Sequence, residues 1–226
     1  MASLVSFALQ GGARCEGALA EPAGTQKAGA VVVVQEWWGL NDQIRSLCDR
    51  FAAAGMLALA PDLFEGKRPK TTEEAGQTMA ALDKTKAVAR IGDAAAFLKS
   101  QPRSNGKVAV VGFCMGGALT FASARYVDGI AAAVPFYGIP DLAMEEYAKI
   151  RVPIQAHFAQ RDDWAKPAVA EKIAEQVKNG GGKMDLFLYD AGHAFMRDTD
   201  AQVYVKDAAK TAWDRAIAFL GAHLKG

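Results

Sequence analysis

Cysteine is scarce in this sequence: 226 residues contain three, too few and odd in number for a disulfide framework. That count leads us to expect a reducing, cytoplasmic setting. No two of the three stand at Cys-x-x-Cys spacing, which removes the dithiol redox motif. Net charge is nearly absent as well. Lys+Arg 26 against Asp+Glu 25 leaves a formal +1, so nothing steers the chain toward nucleic acid or an anionic membrane. No apolar run approaches the roughly 20 residues that cross a bilayer. The opening Met1–Phe7 carries neither a basic leader nor a long apolar stretch, so no signal peptide is expected. Repeats, low-complexity tracts and composition breaks are missing too. We therefore expect one domain over residues 1–226, long enough to bury a sizeable core.

What is present is an alternation of apolar strands and amphipathic helices. Val5–Leu9 and Arg14–Leu19 flank Gly11-Gly12 and predict an antiparallel hairpin. Ala30–Val34, Met56–Ala60, Val108–Val111, Ile130–Tyr137, Pro153–Phe158 and Met184–Tyr189 predict strands, several of them continuously apolar as in a sheet buried on both faces. Between them lie helical patterns. Ile44, Leu47, Cys48 and Phe51 share one face, capped by Asn41. Further helices are expected over about 73–82, 84–99 (capped by Asp83), 118–122, 166–178 and 201–223. Asn105-Gly106 is expected to turn the chain into the strand at 108. The class is α/β, a mostly parallel sheet covered by helices on both faces.

The stretch Val108–Gly117 is the centre of the functional argument. A valine-rich strand runs into Gly112-Phe113-Cys114-Met115-Gly116 and then a helix, the strand–turn–helix of a nucleophile elbow. The central residue is Cys114, placed at a helix N-terminus where backbone N–H groups favour an anion. Alone, the pentapeptide equally fits a structural cysteine in a glycine-rich turn. Two other loops weigh against that. Asp162 follows the 153–158 strand, and His193 follows the 184–189 strand, giving nucleophile, acid, histidine in chain order. A thiolate attacks an acyl carbon, imidazole moves the proton, and the carboxylate fixes the imidazole. Asp163, beside Asp162, is the competing candidate for the acid. His157, inside a strand, and His223, near a helix end, are read as structural, as are Cys15 and Cys48.

Five blocks extend the pattern: Gln35–Asn41 (QEWWGLN), Ala60–Leu63 (APDL), Gly112–Gly117 (GFCMGG), Pro135–Gly138 (PFYG) and Ala191–Phe195 (AGHAF). Together they resemble the dienelactone hydrolases over nearly the whole chain. The resemblance implies a single-domain, monomeric α/β-hydrolase that opens a small lactone or ester without cofactor or metal. The archetypal activity converts dienelactones to maleylacetate in chlorocatechol breakdown. It also implies Cys114, Asp162 and His193 as triad and Glu36 as a carboxylate that contacts the resting thiol and helps ionise it. The oxyanion hole falls to the backbone N–H groups of Trp37 and Met115. Arg197 matches a carboxylate-binding arginine of the substrate site. A second such arginine, with a tyrosine nearby, has no counterpart in Thr71–Met79. Trp37, Trp38, Phe113, Tyr137, Trp164 and Phe195 are expected to ring an aromatic pocket. Two alternatives stand beside this reading: a broad esterase or thioesterase on neutral esters, and a hydrolase-like protein that only binds a small ligand.

Overall fold

A computed structural model describes all 226 residues. Eight strands form one sheet in the order β1-β2-β4-β3-β5-β6-β7-β8. β1 (Ser3–Ala8) and β2 (Arg14–Ala20) make the antiparallel hairpin, and β2 joins β4 (Leu57–Pro61) antiparallel. From there the pairing is parallel through β3 (Ala28–Val34), β5 (Ser104–Phe113), β6 (Ala132–Phe136), β7 (Ile154–Arg161) and β8 (Met184–Gly192).

The continuous apolar runs are explained by layers. In β3, Val31 and Val33 face one core, while Ala30, Val32 and Val34 face another. The first core is closed by α1 (Asp42–Ala53) and α7 (Lys206–Leu224) through Ile44, Leu47, Ala212 and Leu220. Across the sheet, α3 (Lys84–Ser100) covers the early strands, and Met79 of α2 (Thr72–Ala80) packs beside it. α4 (Met115–Tyr126), α5 (Met144–Tyr147) and α6 (Pro167–Asn179) cover the later strands. Caps fall where the side chains dictate: Asn41 accepts from Ile44 N–H at 3.1 Å, and Asp83 from Lys86 N–H at 3.0 Å.

Three local expectations change. Asn105-Gly106 lies within β5, not before it; Gly106 has φ +85° and Asn105 Oδ1 accepts from Lys107 N–H at 3.0 Å, so the turn chemistry makes an irregularity inside a strand. α5 was not anticipated, being a single turn of four residues. The final helix begins at Lys206 because residues 201–203 are held as a turn: the Asp200 carboxylate accepts from Gln202 N–H, and its carbonyl from Val203 and Tyr204 N–H. Cys15 and Cys48 are buried, and burial pushes their thiols up to about 11 and about 12. No helix is long and apolar enough to cross a membrane.

Candidate active site

Parallel pairing carries β3, β5, β6, β7 and β8 to the same edge of the sheet, where their C-terminal ends lie side by side. Each delivers one chemistry-bearing residue there: Glu36, Cys114, Tyr137, Asp162 and His193, in that strand order.

Cys114 sits at the N-cap of α4 with φ +53° and ψ −118°, in the left-handed half of backbone space that a side-chain-bearing residue rarely occupies. The flanking glycines make this bend feasible. A Cβ at Gly112 would lie 2.1 Å from Gly116 O, and one at Gly116 would lie 2.3 Å from Val34 O. Strand and helix thus touch backbone to backbone.

His193 Nε2 lies 3.2 Å from Cys114 Sγ, and its Nδ1 lies 2.7 Å from Asp162 Oδ2. The aspartate that contacts the imidazole is thus Asp162, while Asp163 is exposed. Asp162 Oδ1 also accepts from Trp164 N–H and Ala165 N–H, each at 2.9 Å. Burial pushes the Asp162 carboxyl up. The bond to His193 and the two amides outweigh it, and the pKa lies below the ordinary carboxylate value. Burial pulls His193 down, yet its bonds to Asp162 and Cys114 leave it raised to about 10. The arrangement favours the imidazolium form of His193.

Glu36 is nearly fully buried. Its Oε1 accepts from Tyr137 O–H at 3.2 Å, and its Oε2 has no hydrogen-bond partner, with Arg197 Nη1 3.9 Å away. Burial raises its pKa, and the positive charges of Arg197 and His193 oppose the rise. Burial and the adjacent Glu36 likewise push the Tyr137 hydroxyl far up. The Trp37 N–H, just past β3, donates to no acceptor in the protein. Met115 N–H is the first amide of α4, ahead of any intrahelical partner.

The six expected pocket aromatics divide. Phe113 and Phe195 are wholly buried in the α1/α7 core and offer a substrate no surface, which corrects the expectation for both. The cause is strand packing: Phe113 stacks on Phe136 at 4.7 Å, and Phe195 lies against Tyr137 and Tyr189. Tyr137 is also wholly buried, serving Glu36 instead of a pocket wall. Trp37, Trp38 and Trp164 form a row of edge contacts, Trp37 to Trp38 at 5.5 Å and Trp37 to Trp164 at 5.9 Å.

Arg197 reaches the site, but its guanidinium is shared by Glu36 and Asp200 and packs over Trp38. Asp200 was not singled out from the sequence, although its i+3 spacing from Arg197 is the signal that finds it. No group of three or more His, Cys, Asp or Glu side chains could hold a metal ion.

A mostly parallel eight-stranded sheet, with an elbow at a strand end and histidine and acid on neighbouring loops, defines an α/β hydrolase. Solved structures share the fold. A dienelactone hydrolase-like promiscuous phosphotriesterase from metagenomic libraries superposes with TM-score 0.86 at 22% identity, covering 100% of this chain and 99% of its own. A Pyrococcus furiosus esterase superposes with TM-score 0.74 at 15% identity, covering 100% and 94%. The chain belongs to the dienelactone hydrolase family, whose pattern matches residues 15–224. Carboxymethylenebutenolidase of Pseudomonas putida is 30% identical over 217 residues, 90% of each chain. Protein usf of Aquifex pyrophilus is 35% identical over 205 residues, 86% of this chain and 88% of its own. Membership makes the chain a lactone or ester hydrolase.

Proposed function

We propose that this chain is a cysteine-dependent hydrolase that opens a small lactone or carboxylic ester through an acyl-thiol intermediate on Cys114. The observation that carries the reading is the pair of contacts in series, Sγ to Nε2 at 3.2 Å and Nδ1 to Asp162 Oδ2 at 2.7 Å. The thiolate adds to the acyl carbon, and the carbonyl oxygen takes the negative charge, facing the amides of Trp37 and Met115. His193 then protonates the leaving oxygen as the C–O bond breaks, leaving a thioester on Cys114. In a lactone the freed hydroxyl stays tethered to the acyl group. Water, deprotonated by His193, adds to the thioester; expulsion of the thiolate releases the acid and leaves His193 protonated. Asp162 holds the imidazole in place throughout. Glu36 lies beside this machinery as a buried carboxylate whose charge is resisted by its surroundings. No hydrogen bond joins it to Cys114, so proton exchange with the sulfur awaits movement of one of the two side chains.

The test is hydrolysis of dienelactone and of an aryl acetate by wild type, Cys114→Ala and Cys114→Ser, with mass spectrometry of the quenched enzyme. Turnover should vanish in Cys114→Ala, and an acyl adduct should map to Cys114 in the wild type. A fully active Cys114→Ala ends the reading.

One observation favours neutral esters over substrates with a free carboxylate. Arg197 is already matched by Asp200 and Glu36, and no second arginine lies in Thr71–Met79. On this reading neutral aryl esters should give a lower KM than acidic analogues.

A further inference from the structure

We infer that the exposed indole of Trp164 is the wall on which the leaving group lies, making aryl esters the preferred substrates of this site. The inference rests on the cysteine-hydrolase reading above and deepens it.

Trp164 is 73% exposed, the most exposed aromatic side chain of the molecule. Packing does not account for it, because an indole in water forfeits most of what burial would contribute. Yet it is fixed. Its backbone N–H donates to Asp162 Oδ1 at 2.9 Å, and its ring meets Trp37 edge to face at 5.9 Å. From that position the ring lies 6.5 Å from the His193 ring, tilted by 40°. That separation is within the range of an aromatic pair, so the solvent-facing indole stands directly beside the imidazole. The leaving oxygen must come within hydrogen-bond reach of His193 Nε2, so the group attached to it passes beside the exposed indole. A rigid, pre-placed indole contributes stacking area at little entropic cost.

The nucleophile points the same way. The tetrahedral adduct on Cys114 can expel either the thiolate or the leaving oxygen, and the less basic group departs more readily. A thiol ionises near 8.5 and a phenol near 10, against about 15.7 for water, which approximates an alkyl alcohol. An alkyl ester therefore tends to return to thiolate and ester, whereas with a phenol the two groups are close enough in basicity for the proton from His193 to carry the adduct forward. Acidity and flatness coincide in an aryl leaving group.

They are separated by acetates whose alcohols are of comparable acidity but different shape: 2-naphthyl acetate, flat and aromatic, and hexafluoroisopropyl acetate, compact and aliphatic. We would measure kcat/KM on both for wild type, Trp164→Ala and Trp164→Phe. The wild type should favour the naphthyl ester; the naphthyl-to-hexafluoroisopropyl ratio should fall about fivefold to tenfold in Trp164→Ala. Trp164→Phe should restore most of it. A ratio that is unchanged in Trp164→Ala, or that falls equally in Trp164→Phe, overturns the inference while leaving the nucleophile untouched. A wild type that hydrolyses neither ester, or a Cys114→Ala that hydrolyses both, removes the parent reading instead.

Discussion

His193 is pulled in opposite directions, and the balance sets how the site works. Burial alone would keep the imidazole neutral; the Asp162 carboxylate and the Cys114 sulfur hold it protonated, with a pKa raised to about 10. A general acid with that pKa keeps its proton through neutral and mildly alkaline solution. kcat/KM, which reports free enzyme, should therefore decline on the alkaline side only as pH approaches 10. Asp162→Asn removes the first-named support, so the alkaline limb should move toward neutrality and the rate should drop by about a thousandfold or more. A pH–rate profile of both proteins checks the limb; an unmoved limb in Asp162→Asn would show that the aspartate does not set the histidine's charge. Arg197 poses a different residue-scale question. It is 15% exposed and is the cation nearest the buried Oε2 of Glu36. Arg197→Ala should then cost about 3 kcal/mol of stability, because it leaves a buried carboxylate without its counter-charge. Adding Glu36→Gln should recover much of that loss in urea melts. An arginine serving only an incoming carboxylate would leave stability unchanged.

At the scale of elements, the elbow is a backbone joint between β5 and α4 that tolerates no methyl group. Gly116→Ala would set a Cβ 2.3 Å from Val34 O, in the middle of the sheet where neither partner can yield. Its expected cost, about 4 kcal/mol or more, should appear as a lowered urea midpoint or insoluble protein. Gly76→Ala on α2, where an added Cβ meets nothing, is the control and should be neutral or stabilising. A Gly116→Ala protein as stable as that control would refute the joint. The same contrast explains what was legible in the sequence. Elements whose residues announce their own geometry could be read: Asn41 and Asp83 as caps, the valine run of β3 as a strand buried on both faces, and Gly112 and Gly116 as an elbow. The convergence of Cys114, His193 and an aspartate at 162 or 163 on one edge was legible because each ends or follows a strand. Features decided by tertiary packing were not. Which aspartate faces the imidazole depends on the bend after β7, and whether Phe113 and Phe195 line a pocket or a core depends on which sheet face they take. Only Trp164 among the expected pocket aromatics stands mostly in solvent, and nothing in its neighbours' identities distinguishes it from Phe195.

For the whole molecule, the consequential group is a histidine that does no chemistry. His157 is wholly buried on β7, stacked between Phe136 and Phe187, with Nδ1 2.8 Å from Tyr189 O–H and Nε2 3.1 Å from Gln155 Oε1. Arg215 of α7 donates to the Tyr189 hydroxyl at 3.2 Å. The donors then run one way: Arg215 to Tyr189, Tyr189 to His157 Nδ1, and His157 Nε2–H to Gln155. This fixes a neutral imidazole with its proton on Nε2. Burial, with Arg215 adding to it, lowers its pKa to about 3 from the 6.5 of an unfolded histidine. The sign follows from proton uptake. Between pH 6.5 and about 3 the unfolded chain binds a proton that the folded chain refuses, so this group leaves stability unaffected above 6.5 and withdraws it as pH falls. The withdrawal reaches about 4 kcal/mol near pH 3, a large share of a typical domain's total. His157→Gln keeps polar groups within reach of Tyr189 and Gln155 but cannot take the proton. It should be less stable than wild type at pH 7, and its stability should fall less steeply between pH 6 and 4. Urea melts across that range decide the matter: parallel curves for the two proteins would mean that the acid sensitivity of the fold comes from groups other than His157.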